Sequence, residues 1–234
     1  MKSITHAFAG LALVAAFSMN PAQAAVIEPF TGGQLSAPGW STGIGADASA
    51  FLATPAPDGS YGIALSEGEW SYNNYLSLLP GQTLSAWINP GPSPTIDNNA
   101  QGGRIYLGFD AGASGAYSFV AASDSNELGF QDNTGYATPA FAASAPQSYN
   151  DQWYLLSVAL SADGGTATAY LYDTDGTTLL NTLSQTGLSS ANTGLALRGV
   201  GGAAITTIST VPLPAAWPLM ASALGLLGFF RRRA

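Results

Sequence analysis

Cysteine is absent from the 234 residues. Disulfides, thiolate nucleophiles, iron–sulfur clusters and cysteine zinc sites are excluded together. Histidine occurs once, as His6, inside a segment that reads as a removable leader. A mature chain without histidine has no Ser-His-Asp triad and no histidine-ligated metal. Charge is scarce too, at 9% of residues against about 25% in ordinary domains. Positive charge is scarcer still. Between Ala25 and Thr210, Arg104 and Arg198 stand alone against all 14 acidic residues, which gives that stretch a charge of about −12. Such a surface repels phosphate backbones, so nucleic acid is excluded as a partner.

What is present is apolar and rich in turns. Hydrophobic residues make up 47% of the chain, with 28 glycines and 14 prolines. That is ample for a core, and the punctuation favours short strands over long helices.

Both ends read as addresses. Lys2 supplies a positive n-region, Ala7–Phe17 an apolar run, and Ala22-Gln23-Ala24 a small-x-small cleavage pattern. Met1–Ala24 is therefore read as a signal peptide that signal peptidase removes to leave Ala25 first. The alternative is an uncleaved signal anchor, for which the apolar run is short. At the other end, Val211–Phe230 is apolar and precedes Arg231, Arg232 and Arg233. As a helix, 20 residues extend ~30 Å, one bilayer core. Pro212, Pro214 and Pro218 weaken its first turns, so a transmembrane helix is expected over about 213–230. The arginines place its end in the cytoplasm and the body in the periplasm.

Val211-Pro212-Leu213-Pro214, the apolar span and the arginine cluster together resemble a PEP-CTERM sorting signal in its VPLPAA variant. The resemblance covers residues 211–234 and implies recognition by an exosortase-type membrane processing enzyme. It further implies export through the inner membrane of a Gram-negative bacterium, transient anchoring, and release to the cell surface or an exopolysaccharide matrix. The alternative is a plain membrane anchor.

The body, Ala25–Thr210, alternates with period two. Leu84, Ala86 and Ile88 oppose Ser85, Trp87 and Asn89, while Ile105, Leu107 and Phe109 share one face. Tyr117 pairs with Phe119, and Leu128 with Phe130. Trp153–Leu160 is apolar on both faces, as in a central strand covered on both sides. Thr166–Tyr172 follows across Asp163-Gly164-Gly165, and Thr177–Leu183 across Asp173-Thr174-Asp175-Gly176, both with hairpin chemistry. An antiparallel sandwich is expected. Over roughly Tyr61–Leu183 these segments resemble the middle strands of a concanavalin A-like, laminin-G-like jelly roll. Trp87, Trp153, Tyr170, Tyr172 and Gly176 occupy matching positions. The late Asp-bearing strand of that family is missing, since Gly202–Ser209 reads GAAITTIS, and no metal site or cofactor is assigned.

Candidate chemistry is sparse. On a strand, Glu67 and Glu69 would share a face ~7 Å apart, near the separation that glycosidases use. The jelly roll hosts glucanases, but GEWSYN lacks the Glu-x-Asp-x-x-Glu pattern of those enzymes. A glycan hydrolase using this pair is the alternative to a non-enzymatic protein. Asp173-Thr174-Asp175-Gly176 begins like a calcium loop, yet an EF-hand's twelfth position is Ser184. A hairpin turn accounts for it with fewer assumptions. Arg198–Gly202 lacks the setting of a nucleotide site and reads as a loop. Trp70, Tyr72, Asn73, Asn74 and Tyr75 interleave aromatic faces with amides, the equipment of a sugar-binding surface. Alternation puts Trp70, Tyr72 and Asn74 on one side of an extended strand, Asn73 and Tyr75 on the other. The reading is a non-enzymatic surface or matrix protein whose jelly-roll body binds or structures extracellular polysaccharide.

Overall fold

A computed structural model of the chain describes residues 24–31, 33–41, 55–60, 62–92, 102–137, 140–189 and 193–212. The leader up to Gln23, the helix over 213–230, Leu213, Pro214 and Arg231–Arg233 lie outside the described residues. The described residues form strands and turns only, and none of their segments is a helix long and apolar enough to cross a membrane.

The strands are β1 Ala25–Glu28, β2 Trp40–Ser41, β3 Ile63–Glu67, β4 Ser71–Asn73, β5 Gln82–Asn89, β6 Arg104–Gly112 and β7 Gly115–Ala122. Then come β8 Glu127–Thr134, β9 Ala143–Pro146, β10 Tyr154–Leu160, β11 Thr166–Tyr172, β12 Leu179–Thr186, β13 Gly194–Ile205 and β14 Ile208–Pro212. All pairings are antiparallel. They build two layers of a jelly-roll sandwich. Sheet I runs β12-β11-β10-β5-β14-β1. Sheet II runs β9-β8-β7-β6-β13, with β3 and β4 on the far side of β13 and β2 on β4. The layers join where Asn89 and Ile88 of β5 meet Ala204 and Ile205 of β13. At the opposite edge, the Asn181 side chain of β12 donates to the Pro146 carbonyl of β9 at 2.9 Å.

The period-two pattern does what it predicts. Leu84, Ile88, Leu156, Val158 and Leu171 of sheet I are fully buried against Ile105, Leu107, Phe119, Leu128 and Leu197 of sheet II. Each such side chain contributes about 1.5–3 kcal/mol by leaving water. The buried carboxylate of Glu28 ties down the segment after β1. It accepts from the backbone N–H of Phe30, Ser36 and Ala37, the Ser36 hydroxyl and the Trp40 indole.

Four expectations change. Strand β10 is central but only partly covered on its outer face, where Leu155 and Ala159 are half-exposed and Ser157 between them is buried. Strand β12 starts at Leu179 instead of Thr177, because a longer turn occupies residues 173–178. Arg198–Gly202 is not a loop: it lies within β13, which shifts register against β3 between Val200 and Ala203. Gly199 is needed there because a Cβ would collide with Leu65 on the neighbouring strand. Strand β14 runs through Val211 and Pro212, opposite Thr83 and Gln82, so the sandwich takes in the first two residues of the VPLP motif.

Candidate functional site

Outward residues of β5 run Thr83, Ser85, Trp87 and Asn89, and the row ends in a cleft. The Asn89 side chain is fixed twice. Its oxygen accepts the Gly91 N–H at 2.8 Å, and its amide donates to Asp151 Oδ1 at 3.0 Å. Asp151 belongs to Asn150-Asp151-Gln152-Trp153, the segment that feeds β10. Gln152 donates to Asp173 Oδ1 at 3.2 Å, joining that segment to the β11–β12 turn. Trp153 is buried with Ala56 and Ala204, and Trp87 packs against the three. Pro55 and Pro57 close the remaining side. The cleft holds about 430 Å³ between Pro55, Pro57, Asn89, Asp151, Gln152, Trp153 and Thr174. That falls within the roughly 300–1,000 Å³ typical of ligand sites. It offers amide donors, carboxylate and carbonyl acceptors, and an indole wall. Its lining carboxylate, Asp151, is tied to the Asn89 amide, with no histidine beside it among the described residues. Such a lining suits a ligand made of hydroxyls and C–H faces.

The outer face of sheet I continues from the cleft. Register aligns Ser209, Ser85, Ser157, Tyr170 and Thr182 in one row across β14, β5, β10, β11 and β12. The Ser85 and Ser157 hydroxyls are 2.8 Å apart, and those of Thr168 and Ser184 2.9 Å. Tyr170 and Tyr172 are half-exposed, as is Trp87, whose ring lies beneath Gly176.

The aromatic segment singled out from the sequence is divided by the fold. Trp70 is 9% exposed, 5.2 Å from Tyr106 and 5.4 Å from Tyr136. Tyr72 stacks on Tyr136 at 5.4 Å. Alternation placed these two on one side correctly, but that side is covered. Burial, reinforced by Tyr72, raises the Tyr136 hydroxyl far above an ordinary tyrosine. Strand β4 ends at Asn73, so the alternation does not extend to Asn74 or Tyr75. Asn73 is buried and structural: its oxygen accepts the N–H of Tyr75 and Leu76, and its amide donates to the Pro38 carbonyl. Asn74 is exposed, and Tyr75 is 81% exposed beside Gly39. Asn73 pairs with Leu195, nine residues along β13 from the Ala204 that pairs with Asn89. Nine strand residues span up to ~30 Å, so Tyr75 and the cleft are separate sites.

The carboxylate pair loses its geometry. Strand β3 ends at Glu67, Gly68 turns into the left-handed region at φ 76°, and Glu69 is exposed beyond it. The same-face spacing expected of a continuous strand does not apply. At Asp173–Gly176 the hairpin prevails. Asp175 accepts the N–H of Thr177 and Thr178 and the Thr178 hydroxyl, which lowers its pKa to about 2. Among the described residues no cluster of three potential ligands could hold a metal. A smaller recess of about 230 Å³ lies between Asp110, Asp132, Tyr117 and Ser189. At the predicted leader cleavage, Ala24 is exposed and Ala25 opens β1, while Ala22 lies outside the described residues.

Sequence reasoning missed Asn89, Asp151, Gln152 and Thr174. The signal was present in part, because Asn-Asp-Gln-Trp sets amides beside an aromatic ring as the segment chosen at 70–75 does, and adds a carboxylate.

No family model matches the chain, and no curated protein does. Solved structures do. The VIP36 exoplasmic/lumenal domain in its metal-free form superposes at TM-score 0.53 with 16% identity, covering 80% of this chain and 91% of that one. Its Ca2+/Man2-bound form gives 0.53 and 16%, covering 81% and 88%. Galectin LEC-6 of Caenorhabditis elegans gives a TM-score of 0.41 with 10% identity, covering 64% and 94%. At these identities the VIP36 likeness shows the fold, an all-β antiparallel jelly-roll sandwich.

Proposed function

We propose that this protein is exported by a Gram-negative bacterium and held transiently in the inner membrane by its C-terminal helix. It is then passed by an exosortase-type enzyme to the cell surface or extracellular matrix. There its jelly-roll body binds polysaccharide without altering it. The observation that carries the binding reading is the cleft of Asn89, Asp151, Gln152 and Trp153, with fixed amides and carboxylates beside an indole wall. The VIP36 domain, solved with Ca2+ and Man2 bound, supports the reading as a carrier of the same fold. The export and sorting steps rest on Met1–Ala24, Val211–Pro214 and Arg231–Arg233 in the sequence.

A glycan array tests the binding. Asn89→Ala and Gln152→Ala should each weaken the best glycan about fivefold, roughly 1 kcal/mol for a hydrogen bond lost. No binding at millimolar glycan, or unchanged affinity in both variants, would remove the reading. Hydrolysis of a β-glucan by the purified protein would replace it with the enzymatic alternative. For sorting, mass spectrometry of the mature surface form should find Ala25 first and residues 217–234 gone. Replacing Pro212 and Pro214 should trap a larger, membrane-bound form. An intact C-terminus would leave the plain anchor.

A further inference from the structure

We infer that the polysaccharide is uncharged, and that it extends from the cleft onto the outer face of sheet I. The inference rests on the binding reading above and adds the ligand's chemical class and its path. It follows from where the charges are. The sequence supplies the body with two cations, Arg104 and Arg198. Arg104 pairs with Asp124 at 2.6 Å. Arg198 donates to the Gly68 carbonyl at 2.6 Å, with its guanidinium 4.7 Å from the Tyr106 ring centre. Both belong to sheet II, on β6 and β13. Neither lies on the outer face of sheet I, so neither meets a carboxylate, sulfate or phosphate on a ligand bound there.

The outer face of sheet I is the opposite of a charged surface. Its central row is Ser209, Ser85, Ser157, Tyr170 and Thr182. On one side lies Trp87-Leu155-Tyr172, and on the other Thr83-Ala159-Thr168. All are hydroxyl, aromatic or aliphatic. Five strands at ~4.8 Å spacing make the row about 19 Å long, enough to seat a chain and not just a terminal sugar. Aspartates border the face. Asp151, Asp173 and Asp175 lie at the cleft end, and Asp163 on the β10–β11 turn at the other. Hydrogen bonds to Ser161 and Gly165 hold Asp163 below its ordinary pKa, and Thr178 and Thr177 do the same for Asp175. The rim therefore stays anionic under physiological conditions and repels an anionic chain. Stacking faces and hydroxyl partners remain, and these recognise a neutral glycan.

Matched polysaccharides test the inference: laminarin, dextran and mannan, each beside its carboxymethylated or sulfated derivative. The full-length protein is expected to bind a neutral member and to bind that member's charged derivative at least ~10-fold more weakly. The gap should narrow as salt rises from about 0.01 M to 0.5 M, since screening removes repulsion between exposed charges. Tyr170→Ala should weaken the neutral glycan about fivefold, a stacked ring of about 1 kcal/mol, with the denaturation midpoint unchanged. Equal or tighter binding of a charged derivative would overturn the inference while leaving polysaccharide binding intact. Failure of every glycan, neutral and charged, would remove both. A dimer in sedimentation that Tyr170→Ala dissolves would assign the face to a second copy and likewise overturn it.

Discussion

Glu28 is where one substitution should cost most outside the core. Its side chain is fully buried and no cation pairs with it among the described residues; five donors surround the carboxylate. These are the N–H of Phe30 at 2.8 Å, Ser36 at 3.1 Å and Ala37 at 3.0 Å, the Ser36 hydroxyl at 2.7 Å and the Trp40 indole at 2.6 Å. A hydrogen bond to a charged group contributes ~1.5–3 kcal/mol net, but the five share one acceptor and one loop, so they do not add. Glu28→Ala strands donors that the fold keeps mostly from water, and a loss of about 3–5 kcal/mol is expected. Glu28→Gln keeps the shape but turns an –NH2 toward donors, so about 2–3 kcal/mol should go. With a urea slope of about 2–3 kcal/mol/M, the alanine variant should unfold roughly 1–2 M earlier. Emission from Trp40 should also shift to the red. A loss under about 1 kcal/mol in Glu28→Ala would refute the idea that this carboxylate holds Phe30, Ser36, Ala37 and Trp40 in place.

Three further outcomes are expected. Gly199→Ala should destabilise the sandwich by about 1–3 kcal/mol, because its Cβ meets Leu65 on β3; a variant as stable as the parent would show that β3 can move aside. The Asp175 carboxylate, held by Thr178 and Thr177, should titrate near its pKa of about 2 in carbon-detected NMR. Because that pKa is depressed on folding, its support for the hairpin is present above the unfolded value of about 3.9 and lost as pH falls toward 2. Titration near 4 would contradict the turn geometry. Trp153→Ala should cost about 3–5 kcal/mol in chemical denaturation, since its ring fills space against Ala56, Ala204 and Trp87; a cost under 1 kcal/mol would place the indole outside the core.

How much of this was legible beforehand follows from what is local. Thr83–Asn89 shows its faces in the sequence because a half-exposed strand must alternate, and Leu84, Ala86 and Ile88 are indeed the buried set. The two Asp/Gly hairpins were legible for the same reason, since turn chemistry is written in four or five residues. The site was not, because it is made by pairing. Asn89 meets Asp151 only because β5 pairs with β10 in a register that sets Trp87 opposite Leu155. Trp70 and Tyr72 misled for a related reason. Alternation tells which residues share a side, not whether that side is covered, and sheet II is covered on its outer side as well: Tyr106 and Val120 there have no exposure. Glycine was ambiguous. Gly68 ends a strand, whereas Gly199 sits inside one because Leu65 crosses it. Only the neighbouring strand distinguishes the two.

The positions of β1 and β14 bear on how such a protein would work if tethered through the segment after Pro212. Strand β1 pairs Ala25 with Thr210, and β14 continues to Pro212 opposite Gln82. The chain therefore enters β1 and leaves β14 at the same end of sheet I, the end where β5 begins. The cleft is at the other end of β5, around Asn89, seven residues away and so ~24 Å along the strand. If the segment after Pro212 is the tether proposed above, the cleft lies at the opposite end of β5 from it, and binding should not have to wait for release. The expected outcome is that full-length protein in lipid vesicles binds its glycan with the same affinity as protein cut after Pro212, within about twofold. Surface plasmon resonance on captured vesicles can measure both. Tenfold weaker binding by the tethered form would mean that the membrane occludes the cleft, and the idea that the tethered body binds before release would then be wrong.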